Sequence, residues 1–339
     1  MIIQIGVLKI YVLIILIINC FHFFSQDIHW SQINSNPLFQ NPGNTGQFDA
    51  DHRFSFNIKD QWRKVTKPFT SSTIGYDTRY QYYPKIGFGG IVVSDIAGDG
   101  SFKTIELKLL GSYELWNVKN SNSFRIGMDV GFNYREMNFN AYMYDNQYNG
   151  LLYDKSIQTI ENNTSNNTLN YTLSLGALWT KSFYTNDQIK IGFSSFNLNK
   201  LNQSYYNIDL ERDVRNLLFI QYHKKINKLL HLTPSVNISV QGKYRELLLG
   251  TLLSHPLKKS QFQNITINYG TFYRVKDALI LLIGTNINNK YLINTSYDIN
   301  ISQLTKASNG KGSIEFSFIY LINRKTVSKP KHLQCIDYL

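Results

Sequence analysis

Beyond residue 18 the 339-residue chain has no apolar run that approaches the roughly 20 residues of a membrane helix, so a helical membrane protein is excluded. No helical pattern of ten or more residues interrupts the rest of the chain, and no second domain is evident. Cysteine is nearly missing. Cys20 lies in an expected leader, which leaves Cys335 alone and rules out an internal disulfide in the mature chain. That thiol is either an inert residue in a tail or a group that pairs with another protein. Charge is scarce as well, at 17% of residues against roughly 25% in soluble domains. The formal charge of +12 comes from Lys and Arg spread along the chain, with no block or stripe, and gives no reason to expect a nucleic-acid partner.

Chemistry-bearing patterns are also lacking. His29, His52, His223, His231, His255 and His332 stand in no HExxH spacing and beside no paired CxxC, so neither a metal nor a cofactor is expected. A Ser-His-Asp site could be assembled only by free choice among distant segments, and an enzyme is not expected. The segment Asp95-Ile96-Ala97-Gly98-Asp99-Gly100 has two carboxylates, but it lacks the further acidic ligands of a calcium loop and reads first as a tight turn.

Aromatic residues are abundant, at 14%, with 23 Tyr and 21 Phe. They recur with period two. Phe54, Phe56 and Ile58 alternate with Ser55, Asn57 and Lys59. Leu169, Tyr171, Leu173, Leu175, Ala177 and Trp179 alternate with Asn170, Thr172, Ser174 and Gly176, and Tyr291, Ile293, Thr295, Tyr297, Ile299 and Ile301 with Asn294, Ser296, Asp298, Asn300 and Ser302; Ile314, Phe316, Phe318 and Tyr320 close the series. These runs exceed the five or six residues of an ordinary strand and suit a tilted strand that crosses a bilayer, one face toward lipid and the other toward a polar lumen. Unpaired edges are forbidden in lipid, so such a sheet must close. The expected fold is an all-β, closed antiparallel transmembrane barrel of about 14 strands; a secreted β-sandwich or solenoid is the soluble alternative.

The strands should begin near Arg53, Phe69, Lys85, Ser101, Ser123, Thr168, Gln188, Val214, Leu229, Tyr244, Phe262, Ala278, Lys290 and Gly310. The two longest connections, Asn138 to Asn167 and Asn197 to Asp213, then fall on one side, and the tight turns at Asn227-Lys228 and Asn288-Asn289 on the other. Bacterial barrels carry long loops outside and short turns in the periplasm, so both termini are expected on the periplasmic side. Residues 1–25 read as a signal peptide with Lys9 before the apolar run Ile10 to Ile18, residues 26–51 as a segment ahead of the barrel, 52–322 as the barrel and 323–339 as a periplasmic tail. Asn19 before Cys20 does not fit a lipoprotein site. Trp62, Trp116 and Trp179 fall near strand ends, where an aromatic girdle belongs, whereas Trp30 precedes the barrel.

The opening QDIHWSQINSNPLFQNPGNTG, Gln26 to Gly46, resembles the mature start of the PorP/SprF family of Bacteroidetes outer-membrane proteins, where QDPHFSQ is followed by NPLYLNPA and a Gly. Gln26, Asp27, His29, Ser31, Gln32, Asn36, Pro37, Leu38, Asn41, Pro42 and Gly46 match; Ile28 replaces the family's Pro and Gly43 its Ala. Arg53, Gln61, Trp62 and Pro68-Phe69-Thr70 are similar to the motifs that follow. The turn with Asp95, Gly98, Asp99 and Gly100 and the late Ser296-Tyr297-Asp298 are similar to later ones, so the likeness spans about residues 26 to 322. It implies an outer-membrane component of the type IX secretion system, serving export or gliding motility. The implied partners are secretion or gliding subunits, outer-membrane lipid, and a secreted cargo such as an adhesin with a C-terminal sorting domain. A passive porin or transporter is the rival reading. The leading segment, with Trp30, Leu38 and Phe39, should either meet a partner on the periplasmic side, plug the lumen or act as a linker.

Overall fold

The computed structural model describes residues 27–63, 67–98, 100–118, 121–154, 156–157, 166–183, 187–205, 210–257, 264–303 and 305–323. The expected signal peptide, Asp99, Cys335 and all but the first residue of the expected tail lie outside them.

Fourteen strands form one closed ring. In chain order they are β1 (His52–Gln61), β2 (Phe69–Arg79), β3 (Ile86–Ala97), β4 (Phe102–Val118), β5 (Asn122–Glu136), β6 (Asn167–Ser182) and β7 (Gln188–Phe196). Then follow β8 (Arg215–Lys225), β9 (His231–Gln241), β10 (Tyr244–Pro256), β11 (Ile265–Arg274), β12 (Ala278–Ile287), β13 (Tyr291–Asn300) and β14 (Lys311–Ile322). Each pairs antiparallel with the next. The ring closes between β1 and β14, in register from His52 opposite Ile322 to Gln61 opposite Ser313. The largest departures from the sequence-based starts are at β11, which begins at Ile265, and at β9, which begins at His231.

Strand parity is as the alternation requires. Ser55, Asn57 and Lys59 are buried while Phe54 and Ile58 are exposed; Ser174 is buried beside exposed Leu175; Glu315 and Ser317 are buried beside exposed Ile314. Because successive side chains of a strand point to opposite faces, one choice of register sets the whole wall, apolar outside and polar within. Asn288 and Asn289 both adopt left-handed backbone, φ 56° and 53°, as a two-residue hairpin turn demands. At the end that carries the short turns, aromatics gather: Trp116 stacks on Phe124 at 4.6 Å, Tyr291 on Tyr320 at 4.9 Å, and Trp179 Nε1 donates to Asn122 Oδ1. Trp62 meets Phe69 at the opposite end.

The inner wall is not uniformly polar. Ile91 and Val93 of β3, Leu248 of β10, Phe272 of β11, and Ile280 and Leu282 of β12 form an apolar patch that packs with Trp30, Ile33, Leu38 and Phe39. The leading segment therefore lies inside the barrel. Trp30, which precedes the barrel in sequence, is 1% exposed within the lumen, because the apolar patch offers its ring a dry surface away from water.

Candidate functional site

The segment from Asp27 to Gly46 crosses the lumen lengthwise. Asp27 meets Arg212, Arg215 and Gln241, which lie where β7, β8 and β9 join the long-loop end. Thr45 and Gly46 meet Ser112 and Asp77, close to the short-turn end, where the chain then enters β1. The first described residue and the end of β14 are thus at opposite ends of the barrel. The segment thus runs up the lumen instead of hanging below it.

Its local shape follows from two Asn-Pro pairs. Proline opens the single helical turn Pro37–Gln40 and the 3-10 turn Pro42–Asn44, where its fixed φ suits a first helical position and its missing N–H costs nothing. Asn41 Oδ1 accepts from the Gly43 amide at 2.7 Å, capping the second turn. The other end of the same side chain donates to two wall carbonyls, Ala177 O at 3.1 Å and Phe193 O at 3.0 Å. The wall is shaped to receive this corner. A Cβ on Gly127 would sit 2.4 Å from the Pro42 carbonyl carbon, and one on Gly176 would sit 2.2 Å from Asn41 Oδ1. Only glycine at these inward positions lets two backbones approach so closely.

Three sets of charged and polar contacts hold the plug. At the long-loop end Arg212 pairs with Asp27 at 2.7 Å and with Glu106 at 2.9 Å, and Arg215 lies 3.2 Å from Asp27. Burial pushes the Asp27 carboxyl up, but Arg212 and Arg215 more than offset it and hold it below the ordinary aspartate value, so it is ionised. A few residues further on, still toward the long-loop ends of β1, β11, β13 and β14, the Ser31 and Gln32 amides donate to the two carboxylate oxygens of Glu315 at 2.7 and 3.1 Å. Ser31 Oγ donates to Asp298 at 2.6 Å and accepts from Arg274 at 2.9 Å, while Lys59 Nζ donates to the His29 carbonyl at 2.9 Å. Burial drives the His29 imidazole well below its usual value, helped by the nearby cations Lys59 and Arg274, so it is neutral and contacts Gln61 at 3.2 Å. Near the short-turn end Arg53 binds Asp77 through two nitrogens at 2.8 Å and also donates to Asn44 O, while the Gly46 amide donates to Asp77 at 2.7 Å. The remaining cavities around residues 27–39 are about 40 and 20 Å³, room for a few waters at most.

Of the residues singled out from the sequence, Asp27, His29, Trp30, Asn36, Pro37, Leu38, Phe39, Asn41 and Pro42 all lie in this plug, and Gln61 and Asp298 face it. The others are elsewhere. Tyr297 is on the outer surface, Trp62 packs edge-on against Phe69 just past the end of β1, and Asp95 accepts from Ser71 Oγ at 2.6 Å. Gly98 turns at φ 65°, and Gly100 leaves space against which Tyr142 packs. Lys59, Asp77, Arg212, Arg215, Arg274 and Glu315 went unmarked. For those on strands, the trace in the sequence is a charge at an inward beat of the alternation, as with Glu315 between Ile314 and Phe316; Arg212 lies in the β7–β8 connection.

The sequence pattern of the type IX secretion system membrane protein PorP/SprF matches residues 22–320. The chain belongs to the PorP/SprF family. It is a membrane component of the type IX secretion system and resides in the outer membrane. No curated protein matches the sequence. Among solved structures, TbuX, a toluene transporter of Ralstonia pickettii, is similar with a TM-score of 0.50 at 10% identity, over 85% of this chain and 94% of that one. A FadL homologue of Pseudomonas aeruginosa is similar with a TM-score of 0.45 at 11% identity, over 84% and 94%. At these identities the likeness is one of fold.

Proposed function

We propose that this PorP/SprF protein is a sealed docking barrel that anchors a secreted cargo protein bearing a C-terminal sorting domain and joins it to secretion or gliding subunits. The observation that carries this reading is the plug, fixed along the lumen from Asp27 to Gly46 by buried ion pairs and a glycine-lined seat. A conduit for solutes needs a passage; a docking barrel needs a rigid body with two accessible ends. The reading is of a binding protein and not an enzyme, supported by the way the buried carboxylates and cations of the lumen are engaged with the plug and with one another. Trp30, Leu38 and Phe39 are at most 7% exposed, so a partner could reach them only if the segment left the lumen. The long loops and the short-turn end are the surfaces assigned to partners.

Purified protein in a planar bilayer should carry no steady current, and a form lacking residues 27–46 should insert and conduct. Steady current through the intact protein would sink the sealed-barrel reading and favour a passive porin or transporter. In pull-downs from envelope extracts the intact and shortened forms should capture the same cargo and machinery. Loss of capture by an inserted, shortened barrel would return the contact to the segment itself.

A further inference from the structure

Beneath the plug the lumen opens into a cavity of about 710 Å³ at the short-turn end. Its roof is the chain leaving the plug, Gln47, Phe48 and Asp49, and its walls come from the short-turn ends of β2, β4, β5, β6 and β7. An adjoining cavity of about 170 Å³ shares Gln188 and Lys190 with it and extends toward His223. The plug occupies the lumen above, so the vestibule lies toward the short-turn end, the side that faces the periplasm in bacterial barrels.

Its charge is one-sided. Arg79, Lys85, Arg125 and Lys190 line it, against Asp49 and Glu114. Glu114 is already occupied by Arg125 at 3.5 Å and Asn117 at 3.2 Å, whereas Arg79, Lys85 and Lys190 form no ion pair among the described residues. Arg125 is 3% exposed and also donates to Ser112 Oγ at 3.2 Å, so the charge left facing the cavity is that of Arg79, Lys85 and Lys190. The space lies within the range of about 300 to 1,000 Å³ typical of ligand pockets, and it is several-fold larger than one small anion needs. Guanidinium groups match carboxylates in shape and charge.

We propose that this vestibule binds an acidic peptide segment of a periplasmic protein, with carboxylates set against Arg79, Lys85 and Lys190. The partner's place in secretion rests on the docking reading above; the binding itself does not. The test is fluorescence anisotropy of a labelled eight-residue peptide of alternating Asp and Ser with a free C-terminal carboxylate, titrated with the purified full-length barrel in detergent micelles. Binding should saturate, weaken with added salt, and weaken by at least about tenfold in the double variant Lys85→Glu, Lys190→Glu. It should be unchanged in Lys306→Glu at the other end and absent for the Asn-for-Asp peptide. Heat-modifiable migration on a gel checks folding, and should the double variant fail it, Lys190→Gln alone should still give a measurable loss. Absence of binding, equal binding of the neutral peptide, an unchanged affinity in the folded variant, or displacement by inorganic phosphate at the peptide's own concentration would each overturn the proposal, the last by leaving a small-anion site. If the peptide binds as expected while cells carrying the double variant display cargo normally, the vestibule stands and the docking reading falls.

Discussion

The contact between Asp27 and its arginines should govern how firmly the plug is seated at the outer end of the lumen. Replacing Asp27 by Ala removes the acceptor for Arg212 at 2.7 Å, the partner of Arg215 at 3.2 Å and the acceptor for Gln241 at 2.8 Å. Removing one member of a buried pair typically costs about 3 to 5 kcal/mol, because the other charge is left without compensation. Arg212 keeps Glu106 at 2.9 Å, and Arg215 keeps the faces of Phe39 and Phe196 at 4.7 and 4.3 Å, which argues for the lower end, about 3 kcal/mol. At 1.4 kcal/mol per decade this is roughly a hundredfold increase in the population with the segment lifted. The amides of Ser31 and Gln32 donate to Glu315 and can exchange only when the segment lifts, so their hydrogen exchange should accelerate about a hundredfold while the strands keep their protection. Unchanged exchange at these amides in a folded Asp27→Ala barrel would refute the reasoning. The pH dependence has a definite sign. Asp27 has a folded-state pKa below its ordinary 3.8, so its contribution is complete above that value and is lost only as pH falls through the lower folded-state pKa. The plug should therefore hold at neutral pH and loosen in strong acid.

Other outcomes follow from the same geometry. Arg in place of Leu173, which faces lipid, should lower the folded fraction in vesicles by about 2 to 4 kcal/mol, whereas Ser182→Arg, facing the vestibule, should cost far less; equal costs would refute the register. Gly127→Ala drives a Cβ into the Pro42 carbonyl, so it should loosen residues 41–46 and raise bilayer conductance, and a tight, silent variant would contradict the seat described for Asn41 and Pro42. An epitope inserted at Gly150, on the long β5–β6 connection where a side chain would meet open space, should be labelled on intact cells; protection there would reverse the orientation of the barrel.

Much of the barrel was legible because its cause is local. A pleated strand places alternate side chains on opposite faces, so the beats of Phe54, Phe56 and Ile58 or of Ile314, Phe316 and Phe318 declare a lipid-facing surface within a few residues of sequence. The lipid environment then requires closure, and loop lengths give the two ends. The tight Asn288-Asn289 turn could likewise be read directly, since asparagine tolerates left-handed backbone. The site was legible only in part. Asp27 to Pro42 stood out by resemblance, but nothing in the run itself distinguished a plug from a periplasmic arm or a linker.

That choice depends on contacts between residues far apart in the chain. Ser31 reaches Glu315 across 284 positions, and Asp27 reaches Gln241 across 214. The apolar patch that buries Trp30 exists only after β3, β10, β11 and β12 have been brought around one lumen. The amino-acid sequence by itself determined the strand type, the strand count, the outward face and the family, because each follows from short-range alternation or from a contiguous motif. The tertiary structure alone decided that the leading segment fills the lumen above the vestibule, that Asp27 lies at the long-loop end, and that a basic vestibule is left beneath the plug. Ring closure sets which inward residues face one another, and no local pattern encodes that.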